Sequence, residues 1–565
     1  MNRIASLKTS LGQVVRIAAP YFRSEERWSA IGLFVCVIGA QLALVGAAVA
    51  ENYWRNAFFQ TLQDRDWNGF LVQFGVFSAI GVLFVLATVY QRYLIQWLTI
   101  RWRRWLTTRY LGEWLDGPVH YRAALAGGAV DNPDQRIADD IRQFIDGVIA
   151  LTVGLIGAIA RVVSFVAVLW TLSSLIPLRV FGESYVIPGY LVWAALIYAT
   201  LGTAVAHLIG RHLIAIDFER EQREANFRFA LVRVRENGEA IAMMRGEASE
   251  RDDLLGRFAD IARNWYRLMR WEQFVSLFAE TYRYYSRYFP YFLLAPLFFG
   301  GPMQLGAFMQ AGSAFNQVHQ AFSYFVSSYV HIAELAATVQ RLSQFEQTMR
   351  EANAGETVVS PAADNALAVE HIEVRDAAGQ QIVALDGLTL APGEAALLIG
   401  RSGAGKTSLL RAISGIWPHA KGRVFRPIET SFTLPQRPYI PQGSLRRAVS
   451  YPAPAGQFND DRIREALSAV GLGRLAWSLD VTDAWDRRLS EGEKQRLSLA
   501  RVLLAEPSLI LFDEATSGLE ASAERSLHRM LRERLPRSSI LAASHDGRLQ
   551  DIYGRSVVID GTPGA

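Results

Sequence analysis

The sequence Gly400-Arg-Ser-Gly-Ala-Gly-Lys406-Thr407 stands between an apolar run, AALLI, and a helix-like run, SLLRAI. It matches the pattern G-x-x-x-x-G-K-[ST] of a phosphate-binding loop between a strand and a helix. Glycines let backbone N–H groups curl around phosphate, and the following helix presents its positive end. The pattern predicts nucleotide contacts from Gly400, Arg401, Ser402, Gly403, Ala404, Gly405, Lys406, Thr407 and Ser408.

A second motif, Leu509-Ile-Leu-Phe-Asp513-Glu514, is typical of a buried parallel strand that ends in two acids. Asp513, at the carboxyl end of the strand, suits Mg²⁺ coordination, directly or through water. Glu514 is placed to polarise an attacking water, because hydrolysis of a phosphoanhydride needs a base beside the metal. Because the phosphate-binding loop lies upstream, a catalytic role of the two acids is favoured over the alternative that they only cap a strand.

These two motifs and four others resemble, in their order along the chain, the nucleotide-binding domain of ABC transporters. The other four are the signature motif (Leu489-Ser490-Glu491-Gly492-Glu493), the Q-loop glutamine (Gln436), the D-loop (Thr516-Ser-Gly-Leu-Glu520) and the switch histidine (His545). A P-loop GTPase or kinase would lack the signature run.

The resemblance implies ATP and Mg²⁺ as cofactors and assigns roles to individual residues. It implies catalytic roles for Lys406, Glu514 and His545, further ATP contacts for Gln436, Ser490 and Gly492, and metal contacts for Thr407, Gln436 and Asp513.

Three departures from the family pattern stand out. Glu491 and Glu493 occupy positions where glycine and glutamine are common, and Glu520 replaces the usual aspartate of the D-loop. The stretch VEHIEVRDAAGQQ before the P-loop also lacks the aromatic residue that stacks on adenine in many members. We therefore expect relaxed selectivity for the base and unchanged phosphate chemistry.

The composition of the 565 residues indicates that much of the chain is not soluble. Hydrophobic residues make up 51% and charged residues only 20%, whereas soluble domains are about a quarter charged. Disorder, collagen-like repeats and a disulfide scaffold are excluded, the last because Cys36 is the single cysteine. A net charge of +4 is small for this length, and nucleic-acid binding is not predicted.

Six largely uncharged runs precede residue 346, and each is long enough to cross roughly 30 Å of hydrocarbon. The first is too long and begins too late for a signal peptide. The third contains Arg161, and a Gly300-Gly301-Pro302 turn parts the last two. The predicted spans are residues 28–50, 69–90, 148–178, 186–209, 289–308 and 309–332.

Lysine and arginine counts alternate between high and low in the segments before and between the spans. The successive counts are five, two, at least seven, one, a dozen and none. Because cytoplasmic connections carry the excess of basic residues, both termini are predicted to be cytoplasmic, in a multi-pass protein of the inner membrane.

The long basic connection 211–270 shows apolar residues at helical spacing. It predicts two cytoplasmic helical arms of about 30 residues, each about 45 Å long. Residues 346–366 are small and polar, which is typical of a linker. The predicted domains are a cytoplasmic segment (1–27), a six-span membrane domain with the arms (28–345), the linker (346–366) and the nucleotide-binding domain (367–565).

Four membrane-half motifs resemble the peroxisomal fatty-acyl class of ABC transporters and, more closely, the bacterial SbmA/BacA-type peptide transporters that carry their own ATPase domain. They are Asp131-Asn-Pro-Asp-Gln-Arg136, Trp54-Arg-Asn-Ala-Phe-Phe59, Glu236-Asn-Gly-Glu-Ala-Ile-Ala and Ala295-Pro-Leu-Phe-Phe-Gly300. The resemblance implies an exporter-type fold with six helices per subunit. In several such bacterial proteins it implies uptake of peptides or cobalamin-like hydrophilic cargo.

The chain contains one P-loop and one signature run, and in this class one subunit's P-loop and its partner's signature enclose each ATP. We therefore predict a homodimer with two ATP sites. The alternative is a heterodimer with a related half-transporter; the presence of Glu514 and His545 favours self-pairing.

Intramembrane charges are costly and normally face a cavity or a partner. Glu280, Arg283 and Arg287 form one helical stripe at the entry to the fifth span, and Arg161 lies within the third. Tyrosines near the stripe suggest a polar, aromatic lining of the substrate path. The alternative is that the stripe lies at the cytoplasmic end of the span, solvated or paired.

We predict an ATP-hydrolysing transporter of a hydrophilic or amphipathic cargo. The alternatives are an exporter of fatty-acyl or lipid-like substrates and an ATP-gated channel or regulator on the same scaffold. The presence of Glu514 favours turnover over gating.

Overall fold

The computed structural model describes residues 11–125, 132–174, 178–180, 183–185, 188–301, 303–324, 328–354, 358–362, 365–544 and 547–559. The chain forms two compact units. The first comprises Met1–Arg109 and Asp134–Ser343, and the second comprises Tyr110–Pro133 and Gln344–Ala565. Residues 110–133, which the sequence places in the membrane domain, thus group with the second unit.

Over its described residues the first unit consists of helices and one hairpin, Leu178–Val180 with Glu183–Tyr185. Helices suit the uncharged runs because in hydrocarbon a chain must satisfy its backbone hydrogen bonds internally. A 3₁₀ turn (Tyr21–Arg23) precedes the long helices, and a short turn (Pro133–Gln135 and the π-helical Arg136–Asp140) precedes the third. The long helices, two of which continue into the second unit, are Arg27–Gln63, Trp67–Trp114, Ile141–Ser174, Tyr190–Glu236, Glu247–Phe299, Leu305–Phe322 and Tyr329–Asn353.

Three helices among the described residues are long and apolar enough to cross a membrane: Arg27–Gln63, Trp67–Trp114 and Pro133–Ser173. In the helix Trp67–Trp114 the most apolar stretch of 18 residues has no buried residue, as expected for side chains that face lipid. The predicted number of six spans is not confirmed by this criterion. Tyr190–Val205 is a shorter apolar stretch. The helix Glu247–Phe299 is continuous but carries charged side chains over much of its length.

One predicted span boundary is wrong. Residues 289–308 do not form one helix, because the helix Glu247–Phe299 ends before a turn and Leu305–Phe322 begins after it. The turn includes Gly301, whose φ of 91° favours glycine, and Pro302 lies outside the described residues. Hydropathy missed this boundary because the turn itself carries no charge.

The predicted arms 211–270 are helical in the structure. They form the end of Tyr190–Glu236 and the start of Glu247–Phe299, and the short helix Gly238–Met244 joins them. Arg245 has a left-handed φ of 55° at this bend. Inside the pair, the buried Asn264 donates its side-chain amide to the carbonyl of Ile216 at 3.1 Å, which ties the arms together.

The second unit contains a five-stranded parallel sheet and a four-stranded sheet. In spatial order the parallel strands are Ser556–Val558, Ala395–Ile399, Ser539–Ser544, Leu509–Asp513 and Ser431–Leu434. The four-stranded sheet has the order Val359–Pro361, Ala420–Arg426, Leu367–Arg375 and Gln381–Leu390. A small two-stranded pair joins Gly443–Ser444 and Thr482–Asp483.

The helices that follow Asn353 in the second unit are short to medium in length, and two of them flank the predicted site. They are Lys406–Ile413, Leu445–Ser450, Asp460–Ala469, the 3₁₀ turn Gly473–Leu475, Trp485–Arg488, Glu491–Ala505, Ala521–Arg534 and Gln550–Tyr553. The predicted linker 346–366 is also partly regular. The helix Tyr329–Asn353 extends into it, and Val359–Pro361 forms an edge strand.

Arg122, on the short helix Val119–Leu125, is buried in the second unit. Its guanidinium donates to the carbonyls of Gly415 at 2.9 Å, Ala352 at 3.3 Å and Ile416 at 3.4 Å. These carbonyls lie at or just beyond the C-terminal ends of two helices, where a cation complements the helix dipole. Charge counting treated Arg122 only as one more basic residue of a loop.

Candidate functional site

The P-loop (residues 400–407) leaves the buried strand Ala395–Ile399 and enters the helix Lys406–Ile413. Gly403 and Gly405 have φ values of 83° and 86°, a region that residues with a Cβ rarely adopt. A Cβ on Gly405 would also approach the Ile382 side chain to 2.8 Å. The sequence therefore needs glycine here to bend its N–H groups toward a bound anion.

The remaining predicted ligands of the loop differ in exposure. Arg401, Ser402 and Gly403 are exposed at the tip, whereas Ala404 and Lys406 are buried. Gly400 is half-buried, and so are Thr407 and Ser408 in the first turn of the helix.

The Lys406 ammonium crosses the loop and binds its backbone. Nζ donates to the carbonyl of Gly400 at 2.8 Å and to that of Arg401 at 3.2 Å. It also lies 3.8 Å from Oε1 of Glu514. The positive charge thus sits between the P-loop and the predicted base, where a terminal phosphate would bind.

Thr407 and Asp513 meet across 106 residues of sequence, with the threonine hydroxyl donating to Oδ1 of Asp513 at 2.7 Å. Burial raises the pKa of Asp513, and the Thr407 hydrogen bond and the Arg411 charge oppose that shift. A hydroxyl and a carboxylate side by side fit Mg²⁺, which uses one or two protein oxygens and completes its shell with phosphate and water. The described residues contain no cluster of three His, Cys, Asp or Glu side chains suited to a metal.

Glu514 follows Asp513 with a left-handed φ of 52°. Its carbonyl accepts a hydrogen bond from the Ser517 N–H at 3.1 Å, which closes a turn. Left-handed backbone costs a non-glycine residue about 1–2 kcal/mol, and such strain concentrates at functional sites. The geometry turns the Glu514 side chain toward Lys406.

The P-loop, Asp513, Glu514 and Gln436 lie at one edge of the parallel sheet, because each stands at or just after the carboxyl end of a strand. Ser544 pairs with Ile399, directly before the P-loop, and Phe512 pairs with Leu434, two residues before Gln436. Ligands of open α/β sheets bind at the carboxyl ends of the strands. Gln436 is exposed at this edge, and His545, which follows Ser544, lies outside the described residues.

The signature serine begins the helix Glu491–Ala505 (the signature helix). Glu493 Oε2 accepts from the N–H and the hydroxyl of Ser490, both at 2.9 Å, and Ser490 Oγ accepts from the Glu493 N–H at 3.4 Å. The Ser490 N–H and Arg474 hold the pKa of Glu493 below its usual range. Glutamate in place of glutamine thus forms a complete capping box.

Within one chain, no hydrogen bond among the described residues joins Ser490 or Gly492 of the signature to the P-loop residues 400–408. Gly492 instead lies against the D-loop (residues 516–520), since a Cβ placed on it would be 3.4 Å from the Leu519 side chain. Gln495 of the signature helix also accepts from the Gly518 N–H at 3.1 Å.

Arg501 is a structural cation that sequence analysis missed. It is buried on the signature helix and donates to the carbonyls of Ala448 and Tyr439, both at 2.9 Å. Burial lowers the pKa of Arg501 to about 10, so the side chain remains charged at neutral pH. It supports the segment after Gln436. The sequence could have indicated this role of Arg501 only through the position of an arginine on the apolar face of a helix.

The predicted substrate-path residues lie in the first unit. Glu280, Arg283 and Arg287 are exposed on Glu247–Phe299, and Glu280 pairs with Arg283. Arg161 is half-buried on the helix Ile141–Ser174. Among the described residues no hydrogen bond or ion pair connects Arg161 with the other three.

Two segments of the chain match known protein families. Residues 14–299 match the family described as ABC transporter transmembrane region 2, and residues 386–517 match the family described as ABC transporter.

Several curated proteins are similar over most of the chain. It is 33% identical to the inner membrane ABC transporter ATP-binding protein YddA of Escherichia coli, over 96% of each chain. It is 29% identical to ABC transporter D family member 2, chloroplastic, of Arabidopsis thaliana, over 94% of this chain and 83% of that one. A human lysosomal cobalamin transporter is 24% identical over 92% and 89%. The chain therefore belongs to the ABC transporter family: it is a multi-pass membrane transporter that binds and hydrolyses ATP, with its membrane region and ATP-binding domain on one polypeptide.

Proposed function

We propose that this protein is a homodimeric transporter of the inner membrane that uses Mg²⁺-dependent ATP hydrolysis to move a hydrophilic or amphipathic cargo. The observation that carries the proposal is the group of Lys406, Thr407, Asp513 and Glu514 at one sheet edge. Lys406 would bind the β- and γ-phosphates, Thr407 and Asp513 would hold Mg²⁺, and Glu514 would activate water. Bound Mg²⁺ would neutralise phosphate charge, and Gln436 would complete the site from a strand end. The family resemblance also gives a catalytic role to His545, which lies outside the described residues.

The contacts of the signature support the dimer. Among the described residues Ser490 and Gly492 make no hydrogen bond to their own P-loop, and we assign them to a phosphate that is bound to the P-loop of another copy. Two copies of this chain would complete two sites, since every chain supplies the P-loop of one site and the signature of the other.

Six spans with cytoplasmic termini fit the alternating charge of the connections. Three helices are apolar enough by themselves, and the other three would be those beginning at Tyr190, continuing to Phe299 and beginning at Leu305. The name of the Escherichia coli relative places that protein in the inner membrane, and we assign this chain to the same membrane.

We assign the cargo to the peptide or cobalamin-like class, with uptake as the direction, in line with the SbmA/BacA-type resemblance. The human relative is named a cobalamin transporter. Exposed charges on Glu247–Phe299 also suit a hydrophilic cargo better than an acyl chain, since charge facing lipid is costly.

Uptake and efflux of labelled peptides and labelled cobalamin by proteoliposomes would test this function. ATP-dependent movement of either cargo, absent in vesicles that hold Glu514→Gln protein, supports the proposal. Movement of fatty-acyl substrates alone would replace it with the lipid-exporter alternative. Passive flux on ATP binding, without hydrolysis, would indicate a gated channel.

Glu280→Ala should reduce transport while leaving ATP hydrolysis intact. Glu280 is 63% exposed and pairs with Arg283 on one helix, and exposed pairs of this kind stabilise a protein by about 0.2–1 kcal/mol. Loss of the carboxylate should therefore reduce cargo transport more than it reduces the stability of the fold. The measurement is transport per folded dimer, with a melting curve.

Glu272→Ala, an exposed glutamate eight positions earlier on the same helix, is the matched control. Normal transport by a stable Glu280→Ala protein would remove this residue from the path. A lowered melting temperature shared with Arg283→Ala would instead identify a structural ion pair.

GTP should be hydrolysed with a kcat/KM within about tenfold of that for ATP, because one missing stacking contact is worth about 1–3 kcal/mol. The turn between the strands Leu367–Arg375 and Gln381–Leu390 has no aromatic residue, and aliphatic Ile382 and Val383 lie beside Gly405. Initial rates of hydrolysis, measured in parallel with ATP and with GTP, would test this prediction. A strong preference for ATP would show that another side chain stacks on adenine.

A further inference from the structure

A buried chain of polar side chains lies behind the D-loop. Thr516, the first residue of this loop, and His528, on the helix Ala521–Arg534, are 4% and 1% exposed. The Thr516 hydroxyl lies 2.7 Å from Oε1 of Glu524 and 3.0 Å from Nε2 of His528. The second ring nitrogen, Nδ1, lies 2.5 Å from the hydroxyl of Tyr553.

The donor and acceptor of each hydrogen bond among these buried side chains can be assigned in one consistent way. The carboxylate of Glu524 only accepts, so the Thr516 hydroxyl donates to it. The Thr516 oxygen then accepts from Nε2–H of His528, which leaves Nδ1 to accept from the Tyr553 hydroxyl. Burial lowers the pKa of His528 to about 4 and raises the pKa of Tyr553. At neutral pH the ring is therefore neutral with one N–H, and the phenol keeps its proton.

Thr516 is linked to the predicted base by short backbone turns. The Ser517 N–H donates to the Glu514 carbonyl at 3.1 Å, and the Leu519 N–H donates to the Thr516 carbonyl at 3.0 Å. Glu514 has the left-handed φ of 52°. Such a backbone conformation persists only where its surroundings hold it in place. Thr516 is the third residue of the turn that Glu514 opens, and its buried side chain is held by Glu524 and His528.

We propose that His528 is a positioning residue for ATP hydrolysis. Through Thr516 it holds the D-loop, and with it the Glu514 backbone, in the conformation in which the Glu514 carboxylate acts as base. The inference rests on the role of Glu514 in the proposed function.

His528→Phe in the full-length protein tests this role, since the phenyl ring keeps the shape but neither hydrogen bond. We expect kcat for ATP to fall about 10- to 100-fold, the cost of misplacing a catalytic group by about 1 Å. KM and the binding affinity for ATP should change less than about twofold, because the P-loop is untouched. His528→Gln should keep most of the activity, since its amide can donate to Thr516 and accept from Tyr553.

Thr516→Val is the second variant, because it replaces the hydroxyl with a methyl group of similar size. It tests the inference even if His528→Phe does not fold. It should lower kcat as His528→Phe does, while Thr516→Ser should not. Arg529→Gln, exposed on the same helix, is the control for general effects on that helix. Wild-type kcat in folded His528→Phe or Thr516→Val protein would overturn the inference. A wild-type protein without ATP turnover would refute the role of Glu514 instead.

Discussion

Glu514→Gln should bind ATP with nearly normal affinity and hydrolyse it at least about 100-fold more slowly, because a positioned general base contributes about 10²- to 10⁴-fold. The amide keeps the size of the side chain but does not polarise water as a carboxylate does. Lys406, 3.8 Å from the Glu514 carboxylate, keeps its contacts with the loop carbonyls. Phosphate release and ATP binding, measured on the same preparation, would separate the two effects.

Glu506→Gln is the matched control for this change. Glu506 also has a left-handed φ, of 45°, but it pairs with Arg462 at the protein surface, at 2.7 Å. The Glu506→Gln protein should hydrolyse ATP at the rate of the unmodified protein. Near-normal turnover by Glu514→Gln would exclude Glu514 as the base.

Lys406→Ala should weaken ATP binding itself by about 10- to 100-fold, since hydrogen bonds to a charged group contribute about 1.5–3 kcal/mol each. The Lys406 side chain is 4% exposed, and its ammonium donates to the carbonyls of Gly400 and Arg401. A binding titration with ATP and Mg²⁺ gives the affinity directly.

Lys421→Ala removes one of the few other lysines, an exposed residue on the strand Ala420–Arg426, and should bind ATP normally. A melting curve without nucleotide would show whether Lys406→Ala also loosens the loop. If the affinity for ATP were unchanged in a folded Lys406→Ala protein, the loop would not be the phosphate site.

Much of the second unit was predictable because its signals are local. The P-loop can be identified within a dozen residues from its glycine spacing, the apolar strand before it and the helix after it. The strand Leu509–Asp513 can be identified from an apolar run that ends in an acid. The first three membrane spans were equally local signals, since an uncharged run needs no partner to be recognised. The count of six spans is not confirmed. The turn at Gly301 was placed correctly, but the span limits around it were not, because hydropathy reports composition and not helix ends.

Local sequence determined which side chains could do chemistry: Lys406, Thr407, Asp513 and Glu514 each stand in a recognisable motif. Only the tertiary structure decided their contacts, such as the Thr407–Asp513 hydrogen bond across 106 residues. It also buried Arg122, Arg501 and His528, which sequence analysis left unassigned. The physical reason is that burial of a polar side chain is stable only when the opposing surface supplies its partners, and those partners come from distant parts of the chain.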